Sequence, residues 1–151
     1  MRMLGLGSEP PIPEDSEMET TPPRLCGVLE TVLYFSDEQR TASFYGGVLG
    51  MRLLDREPGR SLFYRIGDSV FLLFRTEQSL RAGKLPAHGA RGPIHTCFRA
   101  PAETYSAWKE HLRARGVELI REVEWSRGQS FYFHDPDGNL LEIANADIWP
   151  E

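Results

Sequence analysis

The chain has 151 residues, 40% hydrophobic and 26% charged, which suits one compact domain with a real core rather than two independent ones. A formal net charge of -5 excludes a general affinity for nucleic acid or anionic membrane, which needs a basic surface. No apolar run approaches the roughly 18 residues of a membrane span, and Cys26 and Cys97 form no CxxC pair, so neither a disulfide framework nor a zinc knuckle is expected. A reducing cytoplasm is the expected compartment.

Residues 1–23 are rich in Pro, Glu, Ser and Thr and contain no apolar export segment, so a disordered tail is predicted. Met18 is an alternative start. A single domain is expected over 24–151. Its first run, GVLETVLYF, is β-branched and aromatic with period-2 character, and SDEQRTASFYGGVLGM after it changes to helical spacing. Ser36 or Asp37 can cap that helix, Phe44 with Val48 and Tyr45 with Leu49 recur at i, i+4, and Gly50 sits where a helix-ending glycine belongs. Three strand-like runs follow, MRLLDRE, RSLFYRIG and SVFLLFRT, separated by PG and GD turns.

After a polar connection over about 78–92 the same order returns. PIHTCFRA reads as a strand, and AETYSAWKEHLRARG as a helix with a Tyr105, Trp108, Leu112 stripe closed by Gly116. VELIREVEW, QSFYFHD and NLLEIANAD read as strands, with a DPDGN turn between the last two. Repeat 1 (about 26–77) and repeat 2 (about 93–147) align Glu30 with His95 and Gly50 with Gly116, offsets of 65 and 66. The predicted fold is therefore α+β: two βαβββ repeats forming a curved mixed β-sheet cleft with helices on the outer face. One helix covers only one face of four strands, which leaves a concave face for a ligand.

FYGGVLGMRLL after the first strand, SFYFHDPDGNLLEIA near the end and the duplicated order give the chain a resemblance to the vicinal oxygen chelate superfamily. That group contains glyoxalase I, bleomycin-resistance proteins, fosfomycin-resistance thiol transferases and extradiol dioxygenases. The resemblance spans residues 26 to about 147 and implies metal ligands on the first and last strand of each repeat. The matching positions are Glu30, His95 and Glu142, with Leu72 or Leu73 where a fourth ligand would stand. The residues agree with this. Glu142 alternates with Leu140 and Ala144, and Glu30 with Val28 and Val32, so each carboxylate shares an apolar face on which an unpaired charge is costly. Individually each residue has an ordinary alternative: Glu30 on a solvated edge, His95 as a satisfied core histidine, Glu142 paired with an arginine such as Arg99.

The resemblance further implies a divalent cofactor (Zn, Mn, Ni, Co or Fe), a small oxygen-bearing substrate and a homodimer. Two glutamates with one histidine suit a redox-silent Lewis acid better than an iron oxygenase, so isomerase or lyase chemistry is the leading reading. Glu30 or Glu142 would shuttle the proton, and Tyr132 would act as acid or hydrogen-bond donor. Ser130 and Arg99 are expected to contact substrate. Cys97 and Arg99 share the face of His95 and so stand where they can line the cavity, with inert packing the ordinary alternative for Cys97 and a surface place at the strand end for Arg99; Phe131 and Phe133 are expected in the core, and His88 and His111 in solvated roles. The alternatives are an extradiol-type dioxygenase and a non-catalytic, bleomycin-resistance-like binding protein.

Overall fold

The computed structural model describes residues 22–81, 83–145 and 148–149. The expectation of a tail over 1–23 therefore falls almost entirely outside the described residues; Pro22 and Pro23 are exposed and belong to no element. Repeat 1 contains β1 (Glu30–Phe35), α1 (Glu38–Ala42), β2 (Arg52–Glu57), β3 (Ser61–Ile66), β4 (Ser69–Arg75) and a short α2 (Thr76–Ser79). Repeat 2 contains β5 (His95–Arg99), α3 (Tyr105–Ala114), β6 (Arg121–Trp125), β7 (Gly128–His134) and β8 (Leu140–Ala144). Two four-stranded sheets result, ordered β1-β4-β3-β2 and β5-β8-β7-β6. In each, the first strand runs parallel to the last, and the other pairings are antiparallel. The predicted βαβββ duplication is thus the fold.

Local chemistry sets the boundaries. Asp37 caps α1 by accepting from Arg40 N at 2.9 Å. Beyond Ala42 the helix widens to π geometry over Ser43–Val48, with Leu49 N donating to Phe44 O at 2.9 Å. That departs from the predicted i, i+4 spacing, and Gly46-Gly47 within the segment gives the backbone freedom to do so. The wide turn buries adjacent aromatics, Phe44 and Tyr45, together. Tyr45 meets Tyr64 and Phe71 of its own sheet, while Phe44 reaches Phe133 of the other. The chain then reverses at Gly50, whose φ of 65° favours glycine. The predicted VELIREVEW strand begins only at Arg121, although Ile120 N still bonds Tyr132 O at 2.8 Å.

One core serves both repeats. Leu33, Leu62 and Leu73 from the first sheet, Phe131, Phe133 and Leu141 from the second, and Leu112 from α3 are fully buried and belong to the same cluster. Trp108 packs against it while remaining partly exposed. Phe71 and Phe98 close the seam between sheets edge to face at 5.4 Å. A polar latch adds to this packing. Asp137 of the DPDGN turn accepts from Ser36 N at 2.8 Å, buried Asp135 accepts from Tyr45 Oη at 2.7 Å, and Asn139 Nδ2 donates to Tyr34 O at 3.2 Å. No helix among the described residues is long and apolar enough to cross a membrane.

Candidate metal centre

The parallel pairing of β5 with β8 sets Cys97 opposite Glu142, and His95 one register step away opposite Leu140. Across β7, Tyr132 stands opposite Glu142 and Ser130 opposite Ala144. Residues in register share a face, so His95, Cys97, Ser130, Tyr132 and Glu142 gather on the sheet surface turned away from the buried Phe131, Phe133, Leu141 and Ile143.

Glu142 is buried, with its side chain only 5% accessible, against 46% for His95. His95 Nδ1 lies 3.0 Å from Leu140 O, and since a carbonyl can only accept, that nitrogen carries the proton. The other ring nitrogen, Nε2, points at Glu142 Oε2 from 3.3 Å, while Oε1 is buried without a hydrogen-bond partner. A bare imidazole nitrogen facing a carboxylate oxygen is repulsive unless a proton or a cation lies between them. Two donors about 2.1 Å from one ion stand about 3.0–3.4 Å apart at octahedral to tetrahedral angles, so the 3.3 Å separation fits a shared cation. Its charge would also answer the unpartnered Oε1, whose desolvation otherwise costs about 1–3 kcal/mol or more. The donor set therefore fits a divalent metal.

The neighbours respond to this carboxylate. Cys97 is exposed rather than packed away; partial burial of its thiol, and then the charge of Glu142, push it up to about 12. Burial and the hydrogen-bonding reach of Glu142 raise Tyr132, which keeps its phenol protonated. Its ring stacks on His95 at 6.0 Å. Ser130 is fully buried and accepts from Trp125 Nε1 at 2.8 Å. Arg99 lies exposed at the end of β5, opposite Ala144. The partner of Glu142 is thus His95, not Arg99.

Glu30 behaves differently. It opens β1 opposite Val70, is exposed, and joins no cluster: among the described residues no group of three His, Cys, Asp or Glu is placed to hold one ion. Register also identifies the repeat 1 counterpart of Glu142. Cys97 faces Glu142 in repeat 2, and the equivalent Val32 faces Leu72 in repeat 1, which assigns Leu72 rather than Leu73. The connection over 78–92 was expected to be polar with His88 in a solvated role, and His88 is exposed there. His88 there accepts or donates at Tyr34 Oη across 2.8 Å and meets Phe74 edge to face, a contact between distant segments that no local pattern encodes. His111, likewise expected in solvent, lies 2.7 Å from Val48 O.

This fold and site define a class. The chain belongs to the glyoxalase/bleomycin resistance protein/dioxygenase superfamily, whose family model matches residues 27–143. It is similar to the crystal structure of a lactoylglutathione lyase from Agrobacterium tumefaciens, with 31% identity and a TM-score of 0.79 over 87% of this chain and 100% of that one. It is 26% identical over 145 residues to the lactoylglutathione lyase of Pseudomonas aeruginosa, covering 78% of this chain and 81% of the relative. Against the metallothiol transferase FosB of Bacillus licheniformis it is 23% identical over 128 residues, 83% of this chain and 79% of the relative.

Proposed function

We propose that the protein is a divalent-metal-dependent enzyme of lyase or isomerase type, acting on a small substrate with adjacent oxygens, and that Glu30, His95 and Glu142 are its ligands. The observation that carries this reading is the buried Glu142 carboxylate, with one oxygen unpartnered and the other 3.3 Å from a histidine nitrogen whose ring is fixed by Leu140 O. The relatives named as lactoylglutathione lyases and a metallothiol transferase support it.

The ion supplies Lewis-acid polarisation of a substrate oxygen when bound. The protein does the rest. Leu140 O holds the His95 ring with its lone pair forward. The Tyr132 hydroxyl, kept protonated beside Glu142, donates a hydrogen bond to a substrate oxygen, and Ser130 is steadied by Trp125 at the same face. A carboxylate oxygen of Glu30 takes the proton from one substrate carbon and returns it to the next. Arg99, at the rim, contacts the substrate. Because Glu30 joins no cluster among the described residues of its own chain, the reading has the site completed by Glu30 from a second copy in a homodimer. Exposed Leu25, Val28 and Leu29 immediately before β1 are apolar surface for that contact. The two free cysteines suit the reducing cytoplasm.

Metal loading tests the reading. Purified protein loaded with Co²⁺ is expected to approach one ion per site. Uptake below about a tenth per chain would sink the enzyme reading in favour of a metal-free binder. Mixing Glu30→Ala and Glu142→Ala protein then locates Glu30. Neither variant alone fills a site, whereas random re-pairing restores about a quarter of the sites if Glu30 comes from the partner, and none if all three ligands come from one chain.

A further inference from the structure

On the first sheet, the face that carries Glu30 also carries two arginines. Register sets Glu30 opposite Val70, Val70 opposite Arg65, and Arg65 opposite Arg52, one row across all four strands. Like charges directly opposite one another on neighbouring antiparallel strands destabilise a sheet, in a chain whose net charge is otherwise negative. Among the described residues no carboxylate forms an ion pair with either. The Arg65 side chain makes one long hydrogen bond, from Nη1 to Asp68 O at 3.4 Å, and the Arg52 side chain makes no hydrogen bond or ion pair with another described residue.

Both arginines line one cavity of about 400 Å³. Arg99, which has a partner of its own, lines the same cavity, as do the apolar Ile66, Phe98 and Trp108. Two guanidinium forks with little to bind match the geometry of a carboxylate or phosphate, which each can grip in bidentate fashion. Apolar lining in a cavity of this size suits the body of a small organic molecule. We propose that this cavity binds a small organic oxyanion, its charged end between Arg52 and Arg65 and its aryl or acyl body on Ile66, Phe98 and Trp108. The site uses none of the three metal ligands and exists without an ion.

The test uses chelator-treated, full-length protein, so the outcome is independent of metal binding. Fluorescence titration with 1-anilinonaphthalene-8-sulfonate is expected to show one saturable site per chain. Benzoate or phenyl phosphate displaces the probe and neutral benzamide does not; the better of the two anions identifies the headgroup as carboxylate or phosphate. Arg52→Gln with Arg65→Gln lowers probe affinity at least about tenfold, the loss of one charge-assisted bond or more. Thermal stability of the double variant is expected to hold or rise, because the repulsion is gone. Unchanged probe affinity in the folded double variant, or displacement by benzamide as effective as by benzoate, would overturn the proposal. So would the absence of any saturable site. Arg52→Lys with Arg65→Lys, which keeps charge but not the fork, is expected to recover only part of the affinity; equal loss in the glutamine and lysine pairs would still locate the anion on the forks.

Discussion

The two repeats share an order of elements and an offset, yet equivalent points on their last strands hold opposite chemistry. Leu72 on β4 is 7% exposed and Glu142 on β8 is 4% exposed. Burial has been kept while polarity has changed. A buried leucine is satisfied by its neighbours, whereas a buried carboxylate with a free oxygen calls for a positive charge. Repeat 2 thus buries a carboxylate at this point, whereas in repeat 1 Leu72 lies between Val32 and Phe63, with Arg65 and Arg52 on the neighbouring row of Glu30 and Val70.

Matched substitutions would break this contrast most sharply. Glu142→Ala is expected to abolish stoichiometric Co²⁺ uptake with little loss of stability, because it removes a buried carboxylate with one oxygen unpartnered. Leu72→Ala should leave uptake intact and cost about 2–5 kcal/mol in urea unfolding, as a large-to-small change in a packed site. If both lost metal equally, the two positions would not differ in kind. A smaller effect separates the turns. Tyr45→Phe strips a donor from Asp135, the latch residue contributed by repeat 2, and is expected to cost about 1–3 kcal/mol by the same measurement. Gly138→Ala, at a φ of 83° in the DPDGN turn, should cost about 1–2 kcal/mol.

The smallest effect belongs to repeat 1 alone. The backbone N–H of Gly59, and then Arg56, hold the Glu38 carboxyl below its ordinary value of 4.5. A depressed folded value means that the ionised form stabilises the fold. The contribution is complete above 4.5 and is lost as pH falls through the lowered value. Glu38→Gln is thus expected to lower stability by under about 1 kcal/mol at neutral pH, with the difference from wild type closing in strong acid, read as the gap in Tm.

Most of the architecture was legible because each strand announces itself locally. Period-2 runs, the glycines at 50 and 116, and the DPDGN turn mark the boundaries, and duplication supplies the topology. The π turn over Ser43–Val48 was not legible, since its aromatic spacing also fits an ordinary helix and only packing against two sheets at once selects the wider form. At the site, parity within each strand grouped Cys97 and Arg99 with His95, and Ser130 with Tyr132, while the family resemblance alone brought His95 together with Glu142; the registers set His95, Tyr132 and Glu142 on one face. The choice of Leu72 over Leu73 needed the pairing of β1 with β4, which no single strand contains. The facing of Arg52 by Arg65 was hidden for the same reason.

The latch of Asp135, Asp137 and Asn139 has a mechanical meaning as well. Asn139 is three residues before Glu142 and bonds Tyr34, four residues beyond Glu30, while Asp137 grips Ser36 next along. The strand bearing one carboxylate is thereby pinned, near one end, to the strand bearing the other. The two sheets act like the arms of a caliper fixed at its rivet: rigidity there governs how far β1 and β8 of one chain can tilt against each other.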